Sequence, residues 1–212
     1  MEFIPTTTTL IQFAIATFVI AITPGPDMTL FVGRALSEGR AAGMACMFGA
    51  MTGVVIHTIV VALGLSALLV ASPTAFLTLK IVGAGYLLWL AYQAIRKGSA
   101  FTPETRHHAA RPLLRNWMTG IGINLLNPKI VLFFMTFLPQ FVSASDPHAA
   151  GKLLFLGLCF IPLSLPVTIP LVLMADRFAG LLRRNRRATR VVDYLFAGVF
   201  GAFALKILSA QR

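Results

Sequence analysis

Charged residues are scarce in this chain of 212 residues: they make up 12% of it, against 57% hydrophobic residues and a mean hydropathy of +0.82. A soluble domain carries about 25% charged residues, so the chain cannot solvate a water-facing surface of its size. Acidic residues are the rarest, 7 against 18 Lys and Arg, for a net charge of +11. In a soluble protein that excess would suggest nucleic acid. Here the basic residues sit between apolar runs rather than along one face, which argues against a nucleic-acid partner. Cysteine is limited to Cys46 and Cys159, both inside apolar runs. Two isolated thiols of that kind imply neither a disulfide framework nor a metal cluster, and they read as small buried hydrophobes. Enzyme signatures are missing as well: there is no Gly-x-Ser-x-Gly, no His-Glu-x-x-His and no phosphate loop. His107-His108 lie in a basic connection without acidic or cysteine partners. The chain therefore reads as a non-enzyme without metal or cofactor.

What is present is apolar sequence in long runs, which points to lipid as the solvent. The runs are Leu10 to Val32, Ala41 to Val70, Ala75 to Ile95, Trp117 to Val142, Leu153 to Ala175 and Val191 to Leu208. Each can cross a bilayer, since a span needs about 20 residues. The first is not a cleaved signal peptide, because Met1-Glu2-Phe3-Ile4-Pro5 has no basic side chain before it. The connections alternate in charge. The first carries Arg34 and Arg40, the third Arg96, Lys97, Arg106, Arg111 and Arg115, and the fifth Arg177, Arg183, Arg184, Arg186, Arg187 and Arg190. The second, Ala71 to Thr74, has none, and the fourth has Lys152. The positive-inside rule puts the odd connections in the cytoplasm and both termini on the other side. The Arg183–Arg187 cluster reads as a topology determinant with attraction to anionic lipid.

The fold class expected is an all-α integral membrane bundle of six transmembrane helices, built as two inverted three-helix repeats. Runs one and four are both broken by proline, and aligning Pro26 with Pro128 sets Asp27 opposite Lys129. Ala84-Gly85 in run three resembles Ala197-Gly198 in run six. The single transporter domain then divides into halves of about 1–97 and 112–212, joined by a basic cytoplasmic connection, 98–111. Transporters built this way carry their site where broken helices meet. The polar residues of runs one, two and four all fall near the middle of their runs, and so near one depth.

In Thr23-Pro24-Gly25-Pro26-Asp27 the two prolines remove backbone donors and break the helix. Carbonyls so freed are costly in hydrocarbon, so the break belongs in protein or against a watery cavity. A second half-helix is expected to start near Pro26, where proline suits the first position. Asp27 can cap that half-helix. As an ionisable group inside a span, it can also exchange a proton for a cationic substrate group. Asn124-Leu125-Leu126-Asn127-Pro128-Lys129 repeats the pattern with a base. Lys129 can snorkel, but its mid-span position argues for a polar interior. Ala45, Gly49, Gly53 and His57 recur every four residues and share one helix face. The glycines let another helix approach closely, and His57 is either interhelical glue or a relay. Pro162, Pro166 and Pro170 are expected to kink run five.

These motifs, with Phe137-Leu138-Pro139-Gln140-Phe141 at the end of run four, resemble the LysE/RhtB amino-acid exporter family over essentially the whole chain. The resemblance implies a bacterial inner-membrane, multi-pass exporter of the homoserine, threonine and lysine class, driven by proton motive force. Carried over by motif, the substrate and proton-coupling residues are Asp27, His57, Asn124, Asn127 and Lys129. Thr23, Pro24, Gly25, Pro26 and Pro128 form the helix breaks, and Gly49 and Gly53 the packing face. The partners expected are a small zwitterionic substrate, protons and membrane lipid, and a homo-oligomer is compatible with this reading. Two rivals remain: a metal or inorganic-ion exporter on the same scaffold, and an intramembrane enzyme using Asp27 and His57.

Overall fold

The computed structural model describes residues 4–65, 111–143 and 146–184, with scattered positions between 74 and 96 and between 190 and 205. Among the described residues every regular element is helical, the arrangement in which an apolar segment satisfies its own backbone away from water. The expected third and sixth spans are helical at the scattered positions described. The rest of both spans, the connection at 98–110 and the side chains of the Arg183–Arg187 cluster lie outside the described residues.

Helix α1 (Thr7–Ile22) starts at Thr6, whose hydroxyl accepts the Thr9 N–H at 3.3 Å. Pro24 ends it, and α2 (Pro26–Glu38) restarts at a 50° bend with proline at its first position. Gly39, at φ 96°, turns the chain into α3, a conformation glycine adopts without a Cβ penalty. Helix α3 (Arg40–Val60) runs on into a π-helical turn, Val61–Leu65. Helix α4 (Leu113–Leu125) is followed by α5 (Pro128–Leu132), again with proline first. The latter continues through a π turn, Phe133–Phe137, and a 3-10 turn, Leu138–Phe141. The bend between α4 and the segment Pro128–Phe141 is 52°. Helices α6 (Ala149–Leu173) and α7 (Ala175–Arg184) complete the described chain. Helix α6 and the segment Arg40–Gly64 are each long and apolar enough to cross a membrane. The two bent pairs raise the number of spans among the described residues to as many as four.

Helix α6 is one continuous helix through Pro162, Pro166 and Pro170. The three rings are spaced by four, so they form one row, and that row lies on the exposed side. The opposite face carries Leu153, Leu156, Phe160, Ser164 and Thr168 and is buried. Packing along that face holds the helix together although each proline deletes one backbone hydrogen bond.

Two apolar cores flank the middle of the bundle. One is aromatic: Phe13 of α1 stands beside Phe133 of the π turn, with Phe134, Phe137 and Phe160 of α6 in the same cluster. Phe13 also stands edge-on to Phe141, centroids 5.5 Å apart, a favoured ring geometry. The other core gathers Phe31, Cys46, Met47, Ala50, Met51 and Val172 from α2, α3 and α6. The most extensive helix contact is α3 along α4. There the backbones cross so closely that a Cβ on Gly49 would stand 2.0 Å from the Trp117 carbonyl oxygen. A Cβ on Gly120 would stand 2.1 Å from that of Cys46. The glycine stripe of run two thus does what small residues do in membrane bundles. Outward-facing side chains such as Ile11, Ile15, Phe18 and Leu63 are large and apolar.

Candidate functional site

A helix end leaves carbonyls without donors, and a proline one turn on makes the deficit permanent. In an ordinary helix the Ile20 carbonyl would accept from residue 24, which here is Pro24. Lys129 makes up the loss: its Nζ donates to the Ile20 oxygen at 3.2 Å and to the Thr23 oxygen at 2.7 Å. An ammonium there also suits the negative end of the α1 dipole. Thr23 turns its own hydroxyl back onto the Val19 carbonyl at 2.6 Å. Gly25 gives Lys129 room, since a Cβ there would lie 3.3 Å from both Nζ and Cε.

The second break is repaired in the same manner. The Asn124 carbonyl would accept from residue 128, which is Pro128. It takes the Asn127 N–H at 3.0 Å, and the His57 Nε2 stands 3.4 Å away, placed to donate. The His57 ring stacks on Phe134, centroids 5.8 Å apart. The Asn127 side chain caps α5 by accepting the Lys129 N–H at 3.1 Å. Gly53 faces Asn124 directly: a Cβ would be 2.5 Å from its Oδ1.

Asp27 is the second residue of α2, 8% exposed, and Asn124 Nδ2 donates to its Oδ2 at 2.7 Å. That bond joins the first broken span to the fourth. Asp27, Asn124 and Lys129 line a cavity of about 40 Å³, with Met51, Phe160 and Ser164 among its walls. The cavity is partly open rather than sealed. Met28 and Leu171 separate the cavity from a larger apolar groove of about 400 Å³ between α2 and α6, with Arg177 on its rim.

Of the residues singled out in the two breaks and on the glycine face, Asp27, Asn124 and Lys129 line the cavity; Thr23, Gly25, Asn127, Gly53 and His57 contact those side chains or their backbone without lining it, and Gly49 lies against Trp117. Asp27 and Lys129 share the cavity without forming an ion pair; Lys129 is bound to carbonyls instead. Three buried atoms near it lack a hydrogen bond of good geometry, Asp27 Oδ1, Asn124 Oδ1 and Asn127 Nδ2, with the Asn127 amide beside the Asp27 carboxylate. Buried polar atoms are normally paired, and an unpaired one costs about 1–3 kcal/mol.

Sequence reasoning missed Ser164 and Thr168 in the cavity wall. Their signal was a spacing of four on a span that the prolines made conspicuous. It also missed Glu38, a fully enclosed carboxylate at the far end of α2. Glu38 accepts from Arg34, from the Arg111 N–H at 3.0 Å and from Asn116 Nδ2 at 3.1 Å. It thereby ties the end of α2 to the start of α4. A lone acid among basic residues at the end of run one was the available clue.

The family model described as LysE type translocator matches residues 18–211. The chain is similar to an uncharacterized membrane protein of Vibrio cholerae, 27% identical, the match covering 95% of this chain and 97% of that one. It is similar to the homoserine/homoserine lactone efflux protein of Salmonella typhimurium, 27% identical over 94% of this chain and 96% of the other. A leucine efflux protein of an Enterobacter strain is 24% identical over 93% of each chain. No solved structure matches.

Proposed function

The chain belongs to the LysE type translocator family, and from that membership we propose that it exports a small zwitterionic amino compound across the bacterial inner membrane in exchange for protons. The names of two relatives, a homoserine/homoserine lactone efflux protein and a leucine efflux protein, support an amino-acid-sized cargo. The chain acts as a transporter and not as an enzyme, with no resident cofactor.

The observation that carries the reading is the unsatisfied acceptor and donor on the cavity wall. Asp27 Oδ1 is an unpaired acceptor of a cavity-lining residue, and Asn124 Oδ1, also unpaired, faces Gly53. The Asp27 oxygen suits an α-ammonium, which has three donors and no acceptor. Lys129, which lines the cavity with two of its three N–H bonds engaged, keeps a third, and that donor suits an α-carboxylate. A zwitterion would satisfy both groups and add no net charge to a buried site. Binding of the ammonium favours ionised Asp27, and its departure leaves an unpaired buried carboxylate that recovers a proton. That alternation is the proposed coupling.

The likeness of the two broken spans supports the alternating-access part of the proposal. Both broken spans restart at a proline, bend by 50° and 52°, and place an ionisable side chain second in the new helix. The halves, about 1–97 and 112–212, would rock about the shared cavity. Efflux from proteoliposomes preloaded with radiolabelled amino acids tests the function. At least one amino acid should leave faster than from empty-lipid controls and stop when the proton gradient is collapsed. Gradient-independent turnover of the compound into a product would instead identify an enzyme.

A further inference from the structure

Helix α6 ends at Leu173, and α7 starts again after Met174. Ala175 and Ala179 stand one turn apart on α7 and are buried in one cluster with Met28 and Val32 of α2. That face fixes α7 against the bundle and leaves Asp176 and Arg177 exposed. Successive residues of a helix are turned about 100° apart, so the two charges point different ways. Arg177 is the one that reaches the rim of the groove between α2 and α6. The described walls of that groove are Ile22 and Met28 on one side and Val167, Leu171 and Met174 on the other. Its volume of about 400 Å³ falls among sites that hold a drug-sized ligand, about 300–1,000 Å³.

The groove has a direction across the membrane. Ile22 and Met28 flank the Pro24–Pro26 break, which falls near the middle of the run Leu10 to Val32. Arg177 follows the end of the run Leu153 to Ala175, at the edge that the positive-inside rule assigns to the cytoplasm. The walls therefore extend from mid-depth to one surface, the reach of a single leaflet in a hydrocarbon core about 30 Å thick. A guanidinium at the surface end can hold a phosphate through two parallel N–H bonds, and the apolar walls beneath it accept hydrocarbon. Arg183, Arg184, Arg186, Arg187 and Arg190 follow in the same connection and draw anionic headgroups to that surface.

We propose that this groove is a binding site for an anionic phospholipid of the cytoplasmic leaflet, with one acyl chain between Ile22 and Val167 and the phosphate on Arg177. Met28 and Leu171 belong to the walls of both the groove and the central cavity. The acyl chain packs on the outer side of the partition whose inner side adjoins Asp27. The lipid thus braces the wall of the transport site.

The test uses the full chain in detergent, with dioleoylphosphatidylglycerol and dioleoylphosphatidylcholine as probes and bound lipid counted by native mass spectrometry. The two probes have the same chains, and the second has no net charge. Phosphatidylglycerol should bind the wild type more tightly than phosphatidylcholine. Arg177→Gln should weaken phosphatidylglycerol about fivefold, the worth of one arginine at a membrane surface. Arg190→Gln, farther along the connection, should lose less than about twofold. Val167→Trp, which fills the groove from α6, should weaken both lipids. Equal losses in Arg177→Gln and Arg190→Gln would mean diffuse attraction and overturn the site, whether or not Val167→Trp assembles. Wild-type affinity in a Val167→Trp variant that elutes as a folded particle overturns it too. A dimer in size-exclusion chromatography that dissociates in Val167→Trp while lipid binding persists would give the groove to a second copy and overturn the proposal as well.

Discussion

At the scale of single residues, the account turns on side chains that answer for missing backbone donors. Lys129 serves the Ile20 and Thr23 carbonyls, and His57 stands at the Asn124 carbonyl. Lys129→Met would leave two buried carbonyls without a partner, each costing about 1–3 kcal/mol. Thermal unfolding in detergent should show a clearly lower midpoint than wild type; an unchanged midpoint would mean those carbonyls find other donors. That Asp27 and Lys129 are buried at one cavity was legible in the sequence because a charge inside an apolar run is costly and therefore conspicuous. What Lys129 binds was not legible. Spacing sets its depth, whereas its partner depends on how two separate spans cross. Ser164 and Thr168 were overlooked because a hydroxyl that bonds its own helix looks the same wherever it faces.

Among the elements, the broken helices were the most readable. Pro26 and Pro128 each stand first in a new half-helix, as fixed φ and a missing N–H demand. The glycine face of α3 was readable as well, since spacing by four names one face of a helix. Gly49→Ala sets a methyl group 2.0 Å from a carbonyl oxygen of the facing backbone, which cannot move like a flexible side chain. Overpacking of this kind costs about 1–3 kcal/mol or more. The expected result is a lower yield of folded protein in size-exclusion chromatography, whereas Gly122→Ala, with nothing within 4 Å, should behave as wild type. The proline row of α6 marks its exposed face, and local propensity says nothing of the packed face that keeps the helix continuous. The π turn at Phe133–Phe137 had no sequence signature of its own. It crowds aromatic side chains against Phe13 and Phe160, and tertiary contact alone accounts for it.

For the whole molecule, the apolar runs and the charge alternation of the connections determine how the bundle sits in the membrane. Odd connections rich in arginine should face the cytoplasm, with both termini periplasmic. Reporter fusions near Arg106 and after Arg212 check this, and a cytoplasmic signal at the C-terminus would contradict the six-span arrangement. Within that frame the aromatic core of Phe13, Phe133 and Phe137 lies toward the periplasm, and the enclosed Glu38 cluster lies toward the cytoplasm. In the proposed cycle the cavity between them would open to one side at a time. The central claim is that cargo and proton meet at Asp27, and it is tested most directly by gradient-driven transport in the Asp27→Asn variant. Asparagine keeps the size and hydrogen bonding of the side chain and cannot exchange a proton. At matched expression and an imposed pH gradient, wild type should concentrate homoserine or leucine against its gradient, and Asp27→Asn should let it equilibrate at most. An Asp27→Asn variant that still concentrates the cargo would contradict the account and move the proton to another group.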